Sequence, residues 1–137
     1  MTAPELAVGS VAAEKQYGPM TTRMFVRYSG ASGDLNPMHY DDAMARSAGY
    51  PGVFSQGMHI AALLAGYAVE WLGAREIRRF AVRFRDQVYP GDVLTCGGVV
   101  TAVERREDGT LVTADLRASV GSDRVALTAT AQFLFAG

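Results

Sequence analysis

A chain of 137 residues, 49% of them hydrophobic, is one domain by size and holds enough apolar residues for a core. At this length association that buries more surface is favoured. The net charge of −1 gives no field that points to nucleic acid or an anionic membrane as partner, and the one cysteine, Cys96, excludes an internal disulfide and fits a reducing compartment.

Cys96 itself reads as a small buried hydrophobe. The first nine residues contain Pro4 and Glu5 and no basic stretch with an apolar run behind it, so a signal peptide is not expected. Ile60 to Val69 lacks charged residues and Gln, but it is about half of the ~20 residues a membrane span needs. A soluble, cytoplasmic protein is expected.

In chain order, Ser10 to Tyr17 reads as a short first strand, ended by Gly18-Pro19. Thr21 or Thr22 can cap a helix from about Arg23 to Ser32, with Met24, Phe25 and Tyr28 on one face. Gly30 and Gly33 weaken its end. Asp41 or Asp42 caps a second short helix from Ala43 to Ala48, and Gly49-Tyr50-Pro51-Gly52 makes a loop. Ser55 to Leu72 is the long helix, about 27 Å at 1.5 Å per residue. Its apolar residues, from Met58 and Ile60 to Trp71 and Leu72, lie all round it. Such a helix is expected to be buried on most sides, and a curved sheet is its natural cover.

The rest of the chain supplies strands. Phe80, Val82 and Phe84 alternate with Ala81, Arg83 and Arg85. Asp86 falls on the apolar face of that alternation, so a bulge near Arg85 is expected to turn it to water. Pro90-Gly91-Asp92 turns the chain into a strand from Val93 to Glu104, and Glu107-Asp108-Gly109 is a hairpin signal. Val112, Ala114, Leu116, Ala118 and Val120 share one face of the next strand. After Gly121-Ser122-Asp123, Val125, Leu127, Ala129, Ala131 and Phe133 do the same. One central helix followed by an antiparallel meander predicts an α+β domain over 1–137, with the sheet wrapped round the helix. That arrangement is the hot-dog fold.

The chemistry concentrates in Gly33-Asp34-Leu35-Asn36-Pro37-Met38-His39. Pro37 has no N–H and keeps Asn36 out of the α region, so a non-helical turn is expected here. Such a turn can bring Asp34 and His39 to one point, where a helix would part them. A carboxylate and an imidazole that meet can share a water and shuttle its protons.

Tyr28 to Asp41, with Gly-Asp-x-Asn-Pro-x-His at its centre, resembles the signature of the MaoC-like (R)-specific enoyl-CoA hydratases. The resemblance extends to Gly57-Met58 at the start of the long helix and to Tyr89-Pro90-Gly91-Asp92 between two strands. It implies the same hot-dog fold. It also implies hydration of a trans-2-enoyl thioester to the (3R)-hydroxyacyl product, or the reverse dehydration, with Asp34 and His39 as the catalytic pair. Asn36 fixes the turn or orients the pair. Gly57 is the candidate oxyanion donor, through a backbone N–H at a helix start where unpaired donors and the dipole favour negative charge. Ser55 and Gln56 support it; Gln56 stands where many relatives have His. Neither metal nor redox cofactor is implied, and coenzyme A or phosphopantetheine enters only as part of the substrate.

His59 has no partners at metal-ligand spacing and reads as a satisfied core or interface residue. Arg75, Arg78, Arg79, Arg83 and Arg85 are either a solvated face or a landing site for the phosphates of the acyl carrier. The partners implied are acyl-CoA or an acyl carrier protein and a second hot-dog subunit, like or unlike. Two other readings stay open: a hot-dog acyl thioesterase, and one subunit of a heteromeric hydratase.

Overall fold

The computed structural model describes residues 5–137; residues 1–4, part of the stretch read for a signal peptide, lie outside the described residues. The elements in order are β1 (Lys15–Tyr17), α1 (Thr22–Ser32), a 3₁₀ turn (Pro37–His39), α2 (Asp42–Ser47), α3 (Gly57–Leu72), β2 (Ile77–Phe84), β3 (Leu94–Arg106), β4 (Gly109–Val120) and β5 (Arg124–Phe135). The strands form one antiparallel sheet in the order β1-β3-β4-β5-β2.

The meander follows from its turns and alternation. Arg106 pairs with Gly109 across Glu107-Asp108, as the hairpin signal predicts. Val112, Ala114, Leu116 and Ala118 are buried on β4, and Leu127, Ala129, Ala131 and Phe133 on β5. Val125 departs from the predicted face. The register shifts so that Leu127 opposes Ala118 while Val125 opposes Ser119. Ala126 is therefore the extra residue of a bulge, and it takes the buried place instead. Opposite it, the N–H groups of both Arg85 and Asp86 donate to the Ala126 carbonyl. This is the expected bulge, and it leaves Asp86 exposed.

The first strand is shorter than Ser10 to Tyr17. Val11 makes only an isolated bridge to Val99, and regular pairing begins at Lys15 with Cys96. Between these two contacts the N-terminal segment advances four residues against three on β3, so the ladder is broken there. Helix α1 starts at the Thr21 cap, whose hydroxyl accepts the Met24 N–H at 3.2 Å. Its buried residues are Phe25 and Ser29; Met24 is exposed, so the predicted Met24-Phe25-Tyr28 face is turned by about one residue. Asp41 caps α2 through the Met44 N–H at 3.1 Å.

Helix α3 departs from expectation at its start and in its burial. It begins at Gly57, because Gln56 is extended (φ −60°, ψ 136°) and the Ser55 N–H donates to the Val88 carbonyl. Its buried residues are Ile60, Ala61, Leu64, Tyr67, Ala68 and Leu72, at spacings of one, three and four along a single face. Gly57, Met58, Ala62, Gly66 and Glu70 are exposed. Five strands cover one side of the helix and leave the other, where small residues stand among the apolar ones, in water. Cys96 is fully buried on β3, and burial pushes its thiol up to about 11. Among the described residues no helix is long and apolar enough to cross a membrane.

Candidate active site

The Asp34 turn is built by its own side chains. Gly33, at φ +79°, ends α1 in the left-handed region that glycine enters without a Cβ penalty. The Asp34 carboxylate accepts the Asn36 N–H on Oδ1 at 3.3 Å, and Asn36 Oδ1 accepts the Met38 N–H at 3.1 Å. Asn36 stays extended, as the following proline requires (φ −59°, ψ 120°). The segment is nevertheless not wholly non-helical. Pro37 to His39 closes one 3₁₀ turn, which a proline permits at the first position, where no N–H is needed.

That turn delivers the predicted pair. His39 Nε2 lies 3.5 Å from Asp34 Oδ2, with His39 buried and the Asp34 carboxylate half exposed. His39 Nδ1 lies 2.7 Å from the Phe54 carbonyl oxygen. A carbonyl only accepts, so Nδ1 carries a proton, and in the neutral ring the lone pair is on Nε2, towards Asp34. Asp34 Oδ1 is occupied by Asn36, which leaves Oδ2 for the same point.

His39 and Gly57 wall one pocket of about 220 Å³, with Ser55, Ile60, Phe84 and Arg85 among its other lining residues. Asp34 does not line it; the carboxylate meets His39 from the solvent side. At the start of α3 the first intrahelical donors are the N–H groups of His59 and Ile60, both to the Gln56 carbonyl. The N–H groups of Gly57 and Met58 come before them, and Gln56 supplies no side-chain cap. A Cβ at Gly57 would lie 2.8 Å from the Phe84 ring. The ring therefore packs on the glycine backbone, and Phe84 is still 53% exposed at the end of β2.

Gln56 does not face the pocket. Its buried amide donates to the Phe25 carbonyl and to Ser29 Oγ, both at 2.8 Å, and so ties the start of α3 to α1. Ser55 does line the pocket, and its Oγ lies 2.9 Å from His59 Nδ1. His59 stacks on Tyr28 at 5.0 Å, and burial lowers its pKa. His59, expected to be a satisfied core or interface residue, is half-buried with its Nδ1 partnered by Ser55. Among the described residues no group of His, Cys, Asp and Glu is placed to hold a metal ion.

The arginines divide. Arg78 donates to the carbonyls of Arg75 and Ile77 at the far end of β2, whereas Arg85 lines the pocket. Arg79 and Arg83 point to the outer face of the sheet, opposite Gln132 and Thr128. Sequence reasoning missed Phe54, Val88 and Arg124. Arg124 lies 2.6 Å from Asp92 and also donates to the Gln87 carbonyl. It thereby holds the loop whose Val88 carbonyl anchors Ser55. The first two act through backbone carbonyls, which no side-chain pattern announces.

A five-stranded antiparallel sheet folded on one long helix, with the Asp34–His39 turn beside the helix start, defines a hot-dog protein. The family model described as MaoC like domain matches residues 6–121, and the chain belongs to that family. It is similar to the (R)-hydratase of A. caviae involved in PHA biosynthesis, at 26% identity and a TM-score of 0.83, over 97% of this chain and 99% of that one. A chain of the ChsH1-ChsH2 complex from Mycobacterium tuberculosis has 25% identity and a TM-score of 0.82, over 94% and 98%. Among curated proteins, the fatty acid synthase beta subunit pigK of Monascus ruber is 38% identical over 80 residues, 56% of this chain. The fatty acid synthase subunit beta of Saccharomyces cerevisiae is 32% identical over 88 residues, 61% of this chain. In both, the match spans only 4% of the larger protein.

Proposed function

We propose that this chain hydrates trans-2-enoyl thioesters to (3R)-hydroxyacyl thioesters, or runs the reverse dehydration. The observation that carries the reading is His39 Nε2, left with the lone pair by the Nδ1–H bond to the Phe54 carbonyl, 3.5 Å from Asp34 Oδ2. A neutral His39 accepts one proton of a water and Asp34 the other, with the water about 2.8 Å from each. The water oxygen attacks C3 as one of its protons passes to the pair, and the pair returns a proton to C2. The proton count of the enzyme is unchanged over the cycle. Charge on the thioester oxygen is held by the Gly57 N–H, whose helix-start position favours an anion. Similarity to an (R)-hydratase supports both the reaction and its hand.

Purified protein is expected to bleach the enoyl-thioester absorbance of a trans-2-enoyl-CoA and yield the (3R) alcohol by chiral analysis. A (3S) product, or free thiol released without hydration, overturns the reading in favour of a different hot-dog chemistry.

The site works in a dimer, with a second copy or a similar hot-dog subunit. Among the described residues strand β2 pairs only with β5, so its other edge presents unpaired backbone groups. Phe84, which lines the pocket, is 53% exposed, and Met58, next in sequence to the pocket residue Gly57, is 60% exposed. Likeness to a chain of the ChsH1-ChsH2 complex supports a paired assembly. Light scattering at micromolar concentration should give twice the chain mass. A monomer with full activity is the outcome against it.

A further inference from the structure

The outer face of the sheet, turned away from α3, carries a trough of about 710 Å³. One cross-strand row in it reads Arg83, Thr128, Arg117, Gly97 from β2 to β3. Directly opposed residues share a face, so Arg83 and Arg117 flank the Thr128 hydroxyl two strand spacings apart, about 10 Å. Gly97 adds no side chain at the end of the row. Arg85, two residues beyond Arg83, lines this trough and also the His39 pocket.

Two like charges bracketing a hydroxyl repel unless something lies between them. Among the described residues none of Arg83, Arg85 and Arg117 is in an ion pair. The two acids of the trough flank the row without an ion pair to its arginines. Asp115 accepts the Thr130 hydroxyl at 3.4 Å in the next row, and the Glu14 side chain packs against Gly97 at the end of the row. The whole chain has a net charge of −1, so this concentration of guanidinium groups is local. Their forked donors suit phosphate oxygens.

We infer that the row Arg83–Thr128–Arg117, with Arg85 as the link, binds the phosphates of the nucleotide end of coenzyme A. This rests on the thioester reading of the His39 pocket, with which the trough shares Arg85 as a lining residue. A trough of about 710 Å³ with three arginines unpaired among the described residues favours coenzyme A, which carries several phosphate groups on its nucleotide, over a protein-borne carrier arm, which presents one phosphodiester.

The first arm of the test needs no turnover, so it stands even if the hydration reading fails. Calorimetry with adenosine 3′,5′-bisphosphate should show binding that weakens with salt. It should weaken roughly ten- to a hundred-fold in Arg83→Ala/Arg117→Ala, the range for charge-assisted hydrogen bonds. Arg83→Gln/Arg117→Gln, with matched melting curves, guards against misfolding. The second arm compares an enoyl-CoA with the same enoyl group on pantetheine, which lacks the nucleotide. Removing the arginines and removing the nucleotide should raise KM by similar factors that do not multiply. Binding indifferent to both variants, or losses that multiply, overturns the assignment. A KM rise confined to an enoyl group on an acidic carrier protein overturns it too, in favour of protein docking.

Discussion

Asp34→Ala and His39→Ala are each expected to lower kcat by roughly a hundred- to ten-thousand-fold, the range for a positioned acid or base. If the pair holds one water, removing either partner disables the same step. The double variant should then be scarcely worse than the worse single one, because groups that act together are not additive. The structure separates this from a loss of fold. Asp34 Oδ1 accepts the Asn36 N–H, so Asp34→Ala also weakens the turn. Asp34→Asn keeps an oxygen for that bond and removes only the charge and the second acceptor. It should retain the stability of the parent and share the kinetic defect of the alanine variant. Folded variants that turn over at the parent rate would falsify the pair, and instability without a rate defect in the folded fraction would make the turn structural only.

What the sequence made legible follows the range of the interactions concerned. The turn at Asp34 was readable because its determinants are local: a left-handed Gly33, a donor-less Pro37 and an Asn36 that bonds two residues on. The meander was readable from period-two burial and turn residues. The burial of α3 was not, because an all-round apolar pattern tells what a helix could bury and not how much sheet there is to cover it. Val125 was misplaced for a related reason: the bulge at Ala126 is set by the neighbouring strand, and one extra residue reverses every face before it. Phe54 escaped notice because it holds His39 by a carbonyl oxygen fifteen positions away, which any residue could have supplied. Arg117 escaped for want of register. It lies thirty-four positions from Arg83, and only the pairing of both with Thr128 puts them in one row.

The second large effect is expected at Gly57. Proline is tolerated at the first position of a helix, where its missing N–H breaks no helical bond. Gln56, at φ −60° and ψ 136°, already has the backbone that a following proline requires. Gly57→Pro therefore deletes one donor while α3 can still begin where it does. Its side chain would press on the Phe84 ring, since a Cβ there lies 2.8 Å from it. Phe84 is 53% exposed and can rotate outward. Gly57→Ala puts the same Cβ against that ring and keeps the N–H, so it is the control for crowding at Phe84. If the Gly57 N–H holds the thioester oxygen as charge develops, the proline variant should fall in kcat roughly a hundred- to a thousand-fold below the alanine variant, as for loss of one oxyanion donor. The two should melt at similar temperatures. Equal kcat in the two variants would move the donor off Gly57, and Met58, whose N–H also precedes the helical ladder, would be the next to test.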